Sequence, residues 1–183
     1  MAKITTTFGA FVGFLNPNKQ GKLLLVRRTS PDSILPGVSF KGNWELPGGA
    51  LEEGMVVTNY HIHIAFHKAN EKVGIDIEPV FQPLLGPMYL TFFQGPQGND
   101  VGGVIPWITD KEPQKGETMW VSPQELKTLA DEFISETDAK ARSLTEAKGL
   151  VSGWKKRMCC MALAALSQSP NPAYADEAKR MLI

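Results

Sequence analysis

Hydrophobic positions in this chain recur with two different periods, and the changes of period divide it into elements. Thr5 to Leu15 is rich in Thr, Phe and Val, and the turn formers Asn16-Pro17-Asn18 and Gly21 separate it from the apolar run Leu23-Leu24-Leu25-Val26. The pair reads as two strands with a short connection. Arg27 and Arg28 close the second strand, so their side chains leave on opposite faces of the sheet. Ser30 to Gly42 has no period and contains Pro31, Pro36 and Gly37, which makes it a loop. A short strand, Trp44-Glu45-Leu46, then runs into the turn Pro47-Gly48-Gly49.

From about Thr58 to Val73 the period is that of a helix. Ile62, Phe66, Ala69 and Val73 fall on one face, and Gly74 is placed to end it. Ile75 to Leu85, limited by Pro79 and Pro83, is expected as an edge or bent strand. Met88 to Phe93 and Val101 to Ile108 flank Gly95-Pro96-Gln97-Gly98-Asn99-Asp100, a hairpin by its turn chemistry. Thr118 to Val121 is a further short strand. Ser122-Pro123-Gln124-Glu125 then supplies an N-cap, a proline at the first helical position and a glutamate three residues past the cap. Helical patterns return at about Leu144 to Ser167, with a break at Gly149 to Gly153, and at Ala173 to Leu182. The element order indicates an α+β fold in which helices enclose a mixed sheet.

Length and charge narrow the picture. The 183 residues suit one domain, 1–183, with a sizeable core. Nineteen basic side chains balance nineteen acidic ones, so no overall field draws the chain to nucleic acid or to a membrane, and neither partner is expected. Met1-Ala2-Lys3-Ile4-Thr5 lacks the apolar core of a signal peptide, and Met158 to Leu166 is too short to span a bilayer. Cys159 and Cys160 are adjacent, build no disulfide framework, and are expected as buried, reduced thiols. A cytoplasmic location follows as the expectation.

The stretch Gly42-Asn43-Trp44-Glu45-Leu46-Pro47-Gly48-Gly49, followed by Glu52, resembles the opening of the Nudix box. That box is the loop–helix–loop with which Nudix hydrolases bind metal ions and split nucleoside diphosphate compounds. A strand running into a V-S-P-x-E-L helix, as at Val121 to Leu126, is also similar to that family. The resemblance covers roughly Phe8 to Leu126. It implies a Nudix-type α/β/α sandwich with a mixed β-sheet, a core over about 5–130, and an added helical extension over about 131–183. The extension is apolar at Met158 to Leu166, and that helix is expected to pack on the domain or on a second copy in a two-fold homodimer.

The second half of the box departs from the family pattern, which is Gly, five residues, Glu, seven residues, then Arg-Glu-U-x-Glu-Glu-x-Gly-U, with U a bulky aliphatic. Anchored at Gly49, the pattern puts its first glutamate at Met55. Anchored at Gly74-Ile75, it puts the arginine at His67 and the three later glutamates at Lys68, Glu71 and Lys72. The spacing from Gly49 to Gly74 is also four residues too long. Attack on a diphosphate needs an activated water and neutralised phosphoryl oxygens, and Mg²⁺ held by carboxylates provides both. Ammonium groups repel that ion.

Three readings stay open. Lys68 and Lys72 are a solvated helix face; or they replace the metal and hold phosphates directly, with Gly48, Gly49, Arg27 and Trp44 completing a substrate site; or catalysis survives with shifted ligands. In the last case Glu71 and Glu52 would be catalytic. The metal would be Mg²⁺ on those carboxylates, or another divalent ion on His63, His67 and Glu71, which stand four apart on one helical face, with Glu52, Glu53, Glu112 or Glu117 completing the set. No cofactor is required otherwise. Glutamates restored at positions 68 and 72 would be expected to make binding metal-dependent. The reading favoured by the residues is a relative of nucleoside diphosphate pyrophosphohydrolases that binds a nucleotide or diphosphate ligand with little or no standard hydrolysis. The alternatives are an active atypical hydrolase and a structural or protein-interaction domain with a vestigial cleft.

Overall fold

The structure is a computed structural model, and it describes residues 5–30, 40–50, 60–77, 89–95, 98–132, 149–150 and 155–183. Strands β1 (Thr5–Asn16), β2 (Lys22–Arg27), β3 (Trp44–Glu45), β4 (Gly48–Ala50), β5 (Tyr89–Gly95), β6 (Gly98–Ile108) and β7 (Thr118–Val121) form one sheet. Its main path runs β3-β2-β1-β6-β5, with β4 paired to β1 and β7 to β2. The pairing of β1 with β6 is parallel from Thr5↔Gly98 to Leu15↔Ile108, and the other ladders are antiparallel, so the sheet is mixed.

Alternation along the strands decides which helices cover which face. On β1 and β2, Ala10, Val12, Phe14, Leu24 and Val26 point to one side, where α1 (Tyr60–Val73) buries Ala65, Phe66, Ala69 and Val73. Phe11, Leu15, Leu23 and Leu25 point to the other side. There they meet α2 (Pro123–Asp131), α3 (Lys155–Leu166) and α4 (Pro172–Leu182) in a second core. The result is the expected α/β/α sandwich. A side chain at Gly13 would collide with the Ala165 methyl, so glycine there lets α3 lie directly on β1. The helix of the C-terminal extension packs on this sheet, burying Met158, Met161, Ala162, Ala165 and Leu166.

Local signals held where they were strong. Ser122 caps α2 with the full reciprocal box, its hydroxyl accepting from Glu125 N–H while the Glu125 carboxylate accepts from Ser122 N–H at 2.7 Å. The hairpin forms as β5 and β6, and α1 ends at Val73. The strand expected over Ile75 to Leu85 is described only at its start. Residues 75–77 join no ladder, and 78–88 lie outside the described residues. Here Val73 C=O accepts from Gln114 N–H at 2.8 Å, so the segment beside the helix end is met by the 112–116 connection rather than by a strand. Cys159 and Cys160 share no disulfide and are half-buried, not buried as expected, with Cys159 packed at the edge of the second core. Among the described residues, no helix is long and apolar enough to cross a membrane.

Candidate functional site

The turn that carries the glycines is held by an unusual division of one strand edge. β1 pairs with β2 only at Leu15 and Asn16, and with β4 at Gly9, Ala10 and Phe11. Between them Val12 N–H donates to Pro47 C=O at 2.8 Å. The chain therefore crosses from β2's partner β3 to β1 through Leu46-Pro47, and Gly48 arrives flat against β1. Its φ of +143° and the 2.7 Å that would separate an added Cβ from Phe11 Cα leave room only for glycine. Gly49 follows opposite Ala10, whose side chain faces α1.

Lys68 and Lys72 both approach this region from α1, but they do different things. The Lys68 stem lies on Gly49, its Cδ 3.3 Å and its Nζ 4.0 Å from where a Cβ of that glycine would stand. Among the described residues it has no ion-pair partner. Lys72, one turn on, donates to Oε1 of Glu45, while Arg28 Nη1 donates to Oε2 at 3.2 Å. The Glu45 side chain is only 3% exposed and that of Lys72 34%. Burial follows from register, because Glu45 pairs with Val26, whose side chain faces α1. A carboxylate taken out of water is stable only with its charge matched and its oxygens bonded, and Arg28 and Lys72 do both.

This triad was missed in the sequence, where Glu45 entered only as one letter of the Trp44-to-Gly49 stretch. The available signal was parity, since Val26, Arg28 and Glu45 share a face and Lys72 ends the helix above it. Arg27 and Arg28 do leave on opposite faces as expected. Arg27 is committed elsewhere, to Gly42 C=O at 2.9 Å and to Glu117 at 2.8 Å. Trp44 packs against the α3-side core, and its backbone N–H donates to Gly149 C=O at 2.9 Å. Trp107 packs against the α1-side core and stacks edge-to-face on Phe66 with ring centroids 5.0 Å apart.

Among the described residues, the acid and imidazole groups do not gather into one cluster. His67 and Glu71 face each other at 3.5 Å, with side chains 72% and 63% exposed, and His63 is exposed one turn before them. Glu112 is paired with Lys19 and Glu117 with Arg27. Glu52 and Glu53 lie outside the described residues. Among the described residues, no three His, Cys, Asp and Glu side chains are arranged to hold a metal ion. The donor set that is described does not fit Mg²⁺. The face beside Gly49 presents ammonium, and both oxygens of the buried Glu45 carboxylate are taken by cations.

Solved structures with a similar fold include the MutT protein of Methanosarcina mazei Go1, at a TM-score of 0.50 and 19% identity over 70% of this chain and 85% of that one. A MutT/nudix family protein from Enterococcus faecalis aligns with 98% of this chain and 68% of its own, at 0.49 and 16% identity. The NUDIX domain of Shewanella oneidensis NrtR, solved with ADP ribose, aligns over 66% and 73% at 0.42 and 20% identity. No family model and no curated protein matches the chain in sequence.

Proposed function

We propose that this chain, which has the Nudix fold, binds a nucleotide or other diphosphate compound without a divalent metal and with little or no standard Mg²⁺-dependent hydrolysis. The observation that carries the reading is the Lys68 stem lying on Gly49. An ammonium stands beside the glycine turn, at one of the positions where the resembling box has a glutamate. A lysine there supplies as a fixed point charge what a metal ion supplies elsewhere, attraction for phosphoryl oxygens. It does not supply an activated water, so binding is retained and the hydrolytic step is not.

Incubation with ADP-ribose, a dinucleoside polyphosphate or nucleoside triphosphates in Mg²⁺ should release no product above background. A ligand of this class should nevertheless raise the melting midpoint in EDTA, because binding to the folded state alone stabilises it. Turnover on the order of 1 s⁻¹, within the ordinary enzyme range, would contradict the reading. The same proposal treats 1–183 as one domain, supported by the shared core of α3 with β1, β2 and β6.

A further inference from the structure

We infer that the two lysines of α1 divide the work: Lys72 is a strut that ties the strand entering the glycine turn to the helix, and Lys68 alone meets the ligand's phosphate. The inference rests on the metal-free binding reading above. A phosphate that recruited Lys72 would compete with Glu45 for one ammonium, and the buried carboxylate would be left with Arg28 only. Its negative charge would also oppose the incoming anion. Lys68 has no such commitment among the described residues, and its ammonium stands over the glycine turn. The ligand group it suits is a phosphate of a diphosphate, a compact oxyanion of high charge matched to a compact cation.

Met55 and His67 occupy the positions where the resembling box pairs a glutamate with an arginine between loop and helix. In this chain the Glu45–Lys72 pair joins β3 to the last turn of α1.

Inorganic pyrophosphate titrated by calorimetry in EDTA, together with the melting midpoint of the unliganded protein, separates the two roles. Lys68→Ala should weaken pyrophosphate ten- to a hundredfold and leave the midpoint within about 1 °C. Lys72→Ala should lower the midpoint by about 5 °C and change affinity less than about threefold. If Lys72→Ala does not fold, the strut stands, and affinity is read from Lys72→Gln, which keeps a donor for Glu45 and removes the charge. Equal loss of affinity from Lys68→Ala and from either Lys72 variant, with midpoints unchanged, would overturn the division. A Lys72→Ala midpoint equal to the parent's removes the strut alone. Failure of the parent to bind pyrophosphate removes the Lys68 contact and the proposed function together.

Discussion

Leu46 N–H donates to the Met158 sulfur across 3.5 Å, so a residue of the C-terminal extension holds the backbone just after β3, where the chain enters the glycine turn. Both residues are buried. Just before them Trp44 forms a parallel bridge with Leu150. The extension thus supports the rear of the candidate site as well as covering the second core.

Removing everything after Ala130 should therefore do more than shorten the protein. It uncovers Leu15, Leu23, Leu25, Val104 and Val121, and the truncated chain should aggregate. The point variant Met158→Ala should cost about 2–5 kcal/mol in urea unfolding, by lost burial and the cavity left behind. Met158→Leu keeps the volume and should cost about 1 kcal/mol, since Leu46 N–H loses its acceptor. A truncated chain that stays monodisperse with the parent's unfolding midpoint would contradict the role given to the extension.

The cap of α2 predicts a pH dependence with a definite sign. Ser122 N–H holds the Glu125 carboxyl below its ordinary value of 4.5, against the opposing effect of burial, with Lys22 adding to the lowering. A depressed folded-state pKa means stability present above the unfolded value and lost as pH falls through the folded one. Glu125→Gln should accordingly be less stable than the parent by about 0.5–1 kcal/mol at neutral pH, a small figure because the site is half exposed and solvent-screened. That difference should close as pH falls below about 4.5. Parallel stability curves from pH 7 to 3 would show that the carboxylate contributes nothing as an ion.

Placing glutamates at positions 68 and 72 is expected to harm this protein, which reverses the expectation drawn from the sequence. Lys72→Glu sets a second carboxylate against the buried Glu45 and removes its cation, at a cost of about 3–5 kcal/mol. Denaturant titration in the presence of Mg²⁺ checks it. A Lys68→Glu, Lys72→Glu protein that is as stable as the parent, and further stabilised by Mg²⁺, would mean that the helix face accepts metal after all.

How far the sequence reached depends on the kind of signal. β7 and its helix were legible to the residue, because Ser122, Pro123 and Glu125 encode the cap locally. The opposite faces of Arg27 and Arg28 were legible from parity, and α1 from the spacing of Phe66, Ala69 and Val73. The site was legible only as a set of residue types. Lys68 and Lys72 are equivalent in the sequence, both cations one turn apart, and only the depth at which β3 sets Glu45 distinguishes them. Trp44 was singled out for its ring, yet its surroundings are fixed by Gly149 and Leu150, more than a hundred positions away. Long-range pairings of that kind leave no local pattern to read.

The central claim is that an ammonium, rather than a metal ion, attracts phosphate to the glycine turn. Calorimetric titration of ADP-ribose into the full chain in EDTA, at about 50 mM and about 300 mM salt, tests it most directly. The account predicts binding without any divalent ion, weakening as salt rises because the contact is partly exposed and screened. It also predicts affinity unchanged when excess Mg²⁺ replaces EDTA. Binding that appears only with Mg²⁺, and is accompanied by product release, would contradict it.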